Sequence, residues 1–420
     1  MGDVIPINQG LAGTPGSPAE RAENNPHAVG RIRQLDHYSH RTQRGLFIGV
    51  QEQSGSAYFV DGRAVKLLPG YDLGGAGLPL IDADLYRCRC GGSTNFRLPE
   101  VIRKLGIFDR VALVGDYASE LFASWIYTVT LDKPTKPLLV LTGVPGSGKT
   151  STARLMVRLR EGRHADVLSM PKSDHDLKVV ASRRRFLAID NVDTQPRGWF
   201  MDTIAAAATG AQVENRKLWS DDSVATIKLR SGIVITSMVA PFNRADVADR
   251  AICFDMARRS GFAAESSLAE LAERMRPVFC GTLLHDLNHL VEIEGRGLVK
   301  PEEFRMADYA SVVRMVLVDK ADEALRLLLE TQSDLALRDD GIFASIRDAL
   351  DTVGELFGGP GKIRGELDLN ENTLDTRSAR AFGAYLRRIA VPAAQKGVSI
   401  NWEEDLHRKS YNYRISLIGS

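Results

Sequence analysis

The chain has 420 residues, 54 Lys and Arg against 53 Asp and Glu, a formal charge of +1 and 44% apolar residues. That length predicts several domains with buried cores, and near-neutrality excludes a global field that would draw the protein onto nucleic acid or a membrane, so any basic surface must be local. No apolar run reaches the roughly 18 residues of a membrane span, and the opening "MGDVIPINQGLAGTPGSPAERAENNPHAVG" has no apolar signal core, so a cytoplasmic protein without a membrane partner is expected.

Residues 1–38 are rich in Pro, Gly, Asn and Ala and read as a disordered or extended arm. Residues 39–97 have β texture. "LFIGVQ" and "AYFVDGRAVKLL" are strand-like, with Asp61 and Gly62 as a hairpin turn between apolar runs, and "LYRCRCGG" predicts another short strand. Cys88 and Cys90 form a C-x-C pair, while Cys253 and Cys280 lie far downstream. This is not the two-pair spacing of a structural zinc site, and reduced thiols are expected.

A unit over 98–260 begins with helical periodicity in "VIRKLG" and "DYASELFASWIYTVTL". It continues into "LLVLTGVPGSGKTST", an apolar strand entering a glycine-rich turn that fits G-x-x-x-x-G-K-[ST]. The expected nucleotide-binding residues are Gly143, Val144, Pro145, Gly146, Ser147, Gly148, Lys149, Thr150 and Ser151. Glycines let backbone N–H groups wrap phosphates, Lys149 supplies charge for the β and γ phosphates, and the Thr150 hydroxyl ligates Mg²⁺. The helix that begins near Lys149 turns its positive end to the same phosphates. ATP and Mg²⁺ are therefore the expected cofactors.

Strands and helices then alternate, as in a parallel α/β sheet. "RRRFLAIDNVD" places Asp190 at a strand end, where an acid holds the metal through water. Asn191 follows it, and an amide orients water but cannot accept its proton. The base must then come from Asp193 or a neighbouring subunit, or hydrolysis is slow. "SGIVITSM" ends a third strand in Thr236 and Ser237, and Thr236 is placed to sense the γ-phosphate. In "PFNRADVADRAICFDM", Arg250 sits between a helical turn and a strand. An arginine there reaches the γ-phosphate of the next subunit in ring-shaped ATPases, and Arg244 is the second candidate.

This order of phosphate loop, acidic strand, sensor strand and arginine resembles the AAA+ ATPases. Within them the chain looks most like the helicase domains of phage- and plasmid-encoded primase-helicases, related to superfamily 3. The specific stretch is "FLAIDNVDTQPRGWFMDTIAAAATGAQVENRKLWSDDSVATIKLRSGIVITS". The resemblance implies that "AQVENRKLWSDDSVATIKLRS" is a β-hairpin entering the ring's channel to move DNA, with Arg216, Lys217, Trp219 and Lys228 as contacts. Three departures stand out: an acidic turn at Ser220, Asp221 and Asp222, Met238 after Ser237, and Asn191 in place of an acid.

Residues 261–338 read as a helical domain, opened near Ser266 or Ser267 as N-cap. In 339–420, "IFASIRDALDTVGELF" predicts a helix closed by "GGPG". A short helix, a longer one capped by Thr376 or Ser378, and a hairpin follow. That outline is a winged helix and resembles the C-terminal domain of the same group, with Arg387, Arg388, Arg408 and Lys409 as DNA contacts. Such modules also dock proteins.

The fold class expected is α/β: an AAA+ P-loop NTPase core with a small N-terminal β module and C-terminal helical and winged-helix domains. The function expected is an ATP-hydrolysing, ring-forming motor on single-stranded or forked DNA. The catalytic set is Lys149, Asp190, Asn191, Thr236 and Arg250, and the metal ligands are Thr150 and Asp190. A homo-oligomer, hexameric in the resemblance, and a separate primase are the expected partners. The alternative is a non-translocating AAA+ switch, a loader or defence regulator that controls a protein partner.

Overall fold

The structure is a computed structural model. It describes residues 33–34, 39–50, 56–69, 71–72, 77–83, 96–109, 111–112, 114–192, 196–216, 224–229, 231–239, 241–242, 244–261, 264–295, 304–337, 340–369, 375, 377–405 and 410–419. Of the expected N-terminal arm only β1 (Arg33–Gln34) is among them. β2 (Ser39–Arg41), β3 (Leu46–Gly49), β4 (Ser56–Val60) and β5 (Val65–Pro69) form an antiparallel sheet in that order, and β6 (Tyr71–Asp72) pairs in parallel with β1. The turn between β4 and β5 is the expected one. Asp61 Oδ1 accepts the N–H groups of Arg63 and Ala64, both at 2.9 Å, and Gly62 takes φ +85°. The strand expected in "LYRCRCGG", with Cys88 and Cys90, lies outside the described residues.

α1 (Leu98–Lys104) and α2 (Ala118–Thr130) follow. Nearly every α2 side chain is buried, including Leu121, Phe122, Trp125 and Tyr127. Next come β7 (Leu138–Thr142), α3 (Lys149–Glu161), β8 (Leu168–Ser169), α4 (Asp174–Arg183), β9 (Phe186–Asp190) and α5 (Gly198–Ala208). Then run β10 (Gln212–Arg216), β11 (Val224–Lys228), β12 (Gly232–Thr236), α6 (Ala245–Ala248) and β13 (Ala251–Asp255).

The central sheet is parallel throughout, in the order β13-β7-β12-β9-β8. Its inner strands are apolar and buried on both faces, as a parallel sheet flanked by helices requires. The expected α/β core with a central parallel sheet is thus present. The glycine-rich turn leaves the carboxyl end of β7, flanked by β12 and β13, the kind of strand-end crevice where open α/β sheets bind ligands. β10 and β11 form the expected antiparallel hairpin outside that sheet, in register from Gln212↔Lys228 to Arg216↔Val224.

α7 (Glu265–Glu294) is 30 residues long and leads to α8 (Ala307–Leu317) and α9 (Ala321–Leu337). It opens on Ala264 and not on Ser266 or Ser267. Glu265 already belongs to the first turn, where its charge suits the helix dipole and its carboxylate meets Arg154 and Arg158 of α3.

The last part runs α10 (Gly341–Val353), β14 (Glu355–Gly358), α11 (Pro360–Glu366), α12 (Ala379–Gln395), β15 (Val398–Asp405) and β16 (Ser410–Leu417). Its antiparallel sheet has the order β14-β16-β15. β14 corrects the expectation of one helix through "GELF". Gly354 takes φ +75° and ends α10, and the next four residues alternate exposed and buried against β16. Pro360 then opens α11 instead of closing a helix. Ser378 caps α12 through the Ala381 N–H at 3.1 Å, while Thr376 lies outside the described residues.

One buried apolar cluster extends from Leu46 to Leu328 and a second from Leu337 to Ile415. Across their junction Ser333 hydrogen-bonds Gln395, and Lys396 pairs with Asp334. Among the described residues no helix is long and apolar enough to cross a membrane, and no group of three or more His, Cys, Asp or Glu is placed to hold a metal. Cys253 and Cys280 are buried free thiols, which burial pushes up to about 12 and about 11.

Candidate functional site

The turn from Gly143 to Lys149 is shaped by three glycines with positive φ: Gly143 at +144°, Gly146 at +82° and Gly148 at +85°. Gly143 has no room for a side chain, and one at Gly148 would displace the Arg259 side chain. A Cβ on Gly143 would stand 2.2 Å from the Met256 carbonyl oxygen, and one on Gly148 would stand 2.8 Å from Arg259 Nε. Val144 and Pro145 are exposed at the tip, Ser147 is buried, and Ser151 lies in the first turn of α3. Lys149 is buried in the turn, its Nζ donating to the Gly143 carbonyl at 2.6 Å and reaching the Val144 carbonyl at 3.4 Å.

The turn is joined to the strand ends beside it through one carboxylate. Thr150 Oγ1 donates to Asp190 Oδ1 at 2.8 Å, and Thr236 Oγ1 donates to the same oxygen at 2.5 Å. Thr236 Oγ1 in turn accepts the Asn191 N–H at 3.0 Å. Residues from the loop and from the ends of β9 and β12 therefore meet at one point. Hydroxyl and carboxylate oxygens are the donors a hard divalent cation such as Mg²⁺ takes. Asn191 is exposed and holds φ +57°, the left-handed region that Asn enters with less strain than most side chains. Ser237 donates its hydroxyl to the Val192 carbonyl at 2.9 Å, which fixes the chain just beyond. Asp193 lies outside the described residues.

Arg250 and Arg244 are held elsewhere. The Arg250 guanidinium donates to the Asp246 carbonyl of its own chain. Arg244 grips both Asp246 carboxylate oxygens, at 3.0 and 2.7 Å, and reaches Asp202 at 2.5 Å. The Arg244 contacts hold Asp246 below the usual carboxylate range. Within one chain, then, neither arginine meets Lys149 or Asp190.

The sequence reading missed the far wall of the site. Beyond β13 the chain turns across the phosphate loop: Met256 N–H bonds the Thr142 carbonyl at 2.8 Å, and Arg259 N–H bonds the Gly146 carbonyl at 3.1 Å. Opposite lies the segment after α1. A cleft of about 170 Å³ opens between them, lined by Ile107, Asp109, Ser147, Met256, Arg259 and Gly261 among others. The one sequence signal was the pair Arg258 and Arg259 directly after a buried strand, too common a pattern to locate a site.

The expected DNA contacts divide. Arg216 and Lys228 lie at opposite ends of the β10–β11 ladder. Lys217, Trp219 and the turn Ser220, Asp221 and Asp222 lie outside the described residues, as do Arg408 and Lys409. On α12, Arg387 donates to the Tyr413 hydroxyl and stacks 5.0 Å from the Tyr411 ring centroid. Arg388 makes a two-pronged contact with Asp375, at 3.1 and 2.8 Å. Both arginines are tied into their own module.

A family model, the actinomycete integrative conjugative element replication protein, matches residues 111–339. No curated protein matches the chain. Among solved structures, an apo form of the NrS-1 C-terminal region is similar at 15% identity and a TM-score of 0.35, over 77% of this chain and 76% of that one. JCV helicase is similar at 14% identity and a TM-score of 0.27, over 60% and 65%. The SCCmec type IV Cch active helicase is similar at 10% identity and a TM-score of 0.32, over 78% and 67%. The expected likeness to helicases is present among these structures.

Proposed function

The chain belongs to the actinomycete integrative conjugative element replication proteins, and from that premise we propose that it is an ATP-hydrolysing, ring-forming motor on DNA. The observation that carries the reading is the convergence of Thr150 and Thr236 on one carboxylate oxygen of Asp190 beside a glycine-shaped loop.

In this reading Lys149 leaves the Gly143 carbonyl for the β- and γ-phosphates when ATP binds. Thr150 and Asp190 would hold Mg²⁺, which when bound would supply positive charge to the phosphate oxygens. Thr236 keeps the Asp190 carboxylate oriented and faces the γ-phosphate, and Asn191 orients the attacking water. Arg250 exchanges its Asp246 contact for the nucleotide of the neighbouring subunit, in a ring that we take to be a hexamer. The unit over 98–260 is the motor core, with the β10–β11 hairpin carrying Arg216, Lys217, Trp219 and Lys228 to single-stranded or forked DNA. The modules over 39–97 and 261–338 brace it. The order α10-β14-α11-α12-β15-β16 supports a winged helix over 339–420, gripping DNA through Arg408 and Lys409, with Arg387 and Arg388 shaping the helix face. A separate primase would complete the replication machinery.

The test is ATP turnover with and without single-stranded DNA, for the wild type, Lys149→Ala and a double variant with Arg216→Ala and Lys217→Ala. DNA is expected to raise wild-type turnover several-fold. The loop variant should lose turnover altogether, and the hairpin variant should lose only the stimulation. Intact ATP binding with no response to DNA would sink the motor reading. Asn191, which cannot accept a proton, favours a second reading, a switch that acts on a protein partner, and that outcome would point to it.

A further inference from the structure

Arg259 is held against the phosphate loop from the same chain. Its backbone N–H is tied to Gly146 at 3.1 Å. Its side chain then folds over Gly148, where a Cβ would stand 2.8 Å from Nε and 3.1 Å from Cζ. Gly148 opens α3, so the guanidinium lies against the positive end of a 13-residue helix. A cation and a helix N-terminus face each other there, and among the described residues no carboxylate pairs with Arg259.

A second observation points to an anion as the ligand. Ser147 is 1% exposed, its Oγ has no hydrogen-bond partner, and it lines the same cleft as Arg259. A buried hydroxyl is rarely left unpaired without a ligand or water to receive it. Asp190 and Thr236 do not line this cleft, so Arg259 flanks the loop away from the γ-phosphate end.

We propose that Arg259 binds the α- and β-phosphates of the nucleotide in cis, opposite Lys149, with Ser147 Oγ donating to the same diphosphate. The proposal rests on the nucleotide-site reading above. A guanidinium fork suits two phosphate oxygens at once, which an ammonium does not.

The experiment titrates N-methylanthraniloyl-ADP and N-methylanthraniloyl-ATP into the full chain and follows fluorescence anisotropy. It compares the wild type with Arg259→Ala, Arg259→Lys and Lys149→Ala. Arg259→Ala is expected to weaken ADP and ATP alike by about 10- to 100-fold, the size of a lost charge-assisted contact. Arg259→Lys keeps a cation beside the loop and should recover part of the loss, which keeps the test readable if the alanine variant does not fold. Unchanged or tighter binding by Arg259→Ala overturns the proposal, as does weakening of ATP alone, which would move the contact to the γ-phosphate. A wild type that binds neither nucleotide overturns the nucleotide-site reading and the proposal with it. A loss in Lys149→Ala beside an unaffected Arg259→Ala overturns the proposal only.

Discussion

Thr236 donates its hydroxyl to Asp190 at 2.5 Å, from the end of one parallel strand to the end of the next. The same hydroxyl accepts the Asn191 N–H, so its donor and one acceptor position are both in use. The ends of β9 and β12 are therefore locked in register at the point where the proposed function puts the triphosphate. The arrangement is pre-organised, which is what electrostatic stabilisation of a developing charge requires.

Thr236→Val keeps the shape and removes the hydroxyl. It leaves the Asn191 N–H unpaired and leaves the Asp190 carboxylate held by Thr150 alone. Turnover should fall on the order of 100-fold, as for loss of one positioned donor. Nucleotide affinity should change little. Parallel measurements of ATPase rate and nucleotide binding check the split, and an equal loss in both would refute the positioning role.

Arg250 is tied to Asp246 within its own chain, so its proposed action on a neighbour predicts complementation. Arg250→Ala and Lys149→Ala should each be inactive alone. Mixed together, they should regain activity, because some interfaces then pair an intact loop with an intact arginine. A mixture as dead as its components would rule out action in trans.

Asp286 is fully buried, lies 2.9 Å from the neighbouring His285 Nδ1, and accepts from three donors outside its own helix, which join the start of α1, α2 and α7. These are the N–H groups of Arg97 and Leu98, at 2.9 and 2.7 Å, and the Tyr127 hydroxyl at 2.6 Å. Asp286→Ala strands all three donors. A loss of about 3 kcal/mol is expected, read as a lower urea midpoint with the m-value unchanged. An unaltered midpoint would show that water replaces the carboxylate.

Glu161 gives a pH dependence. Burial pushes its carboxyl from the ordinary 4.5 up to about 7, against the pull of Arg160 and Arg184. Between those values the native state holds the proton more tightly than the unfolded chain. Stability from this group therefore falls as pH rises from about 4.5 to about 7 and levels off above. Glu161→Gln should melt close to the wild type near pH 5 and roughly 2–5 °C higher near pH 8. Parallel melting curves across pH would refute the assignment.

The parts legible in sequence were those written in contiguous residues. The phosphate loop, Asp190 at a strand end, Thr236 at the next and the Asp61 and Gly62 turn all lie where local pattern put them. What the sequence hid was set by partners far along the chain. "GELF" reads as helix until β16 offers it a ladder. Asp286 looks like one more helical acid, yet its partners lie 159 to 189 residues away. Arg259 became part of the site only because β13 returns beside β7 and delivers the next residues over the loop. Arg387 and Arg388 read as free cations, and the fold spends them on Tyr413 and Asp375.

α7 has a mechanical consequence. Its first residue, Glu265, is clamped to Arg154 and Arg158 on the helix that carries the phosphate loop. Its last turns are clamped to the N-terminal sheet, through Asn288 to Gly62 and Glu294 to Arg41. At 1.5 Å per residue Glu265 stands roughly 35 Å from Asn288 and roughly 44 Å from Glu294 along one helix. Pro277 lies inside it and removes one i→i−4 hydrogen bond between the two clamps. A tilt of its first turn is either carried along the helix to the β4–β5 turn or taken up as a bend at Pro277, so that one proline sets how far a strain born at one end of this protein is felt at the other.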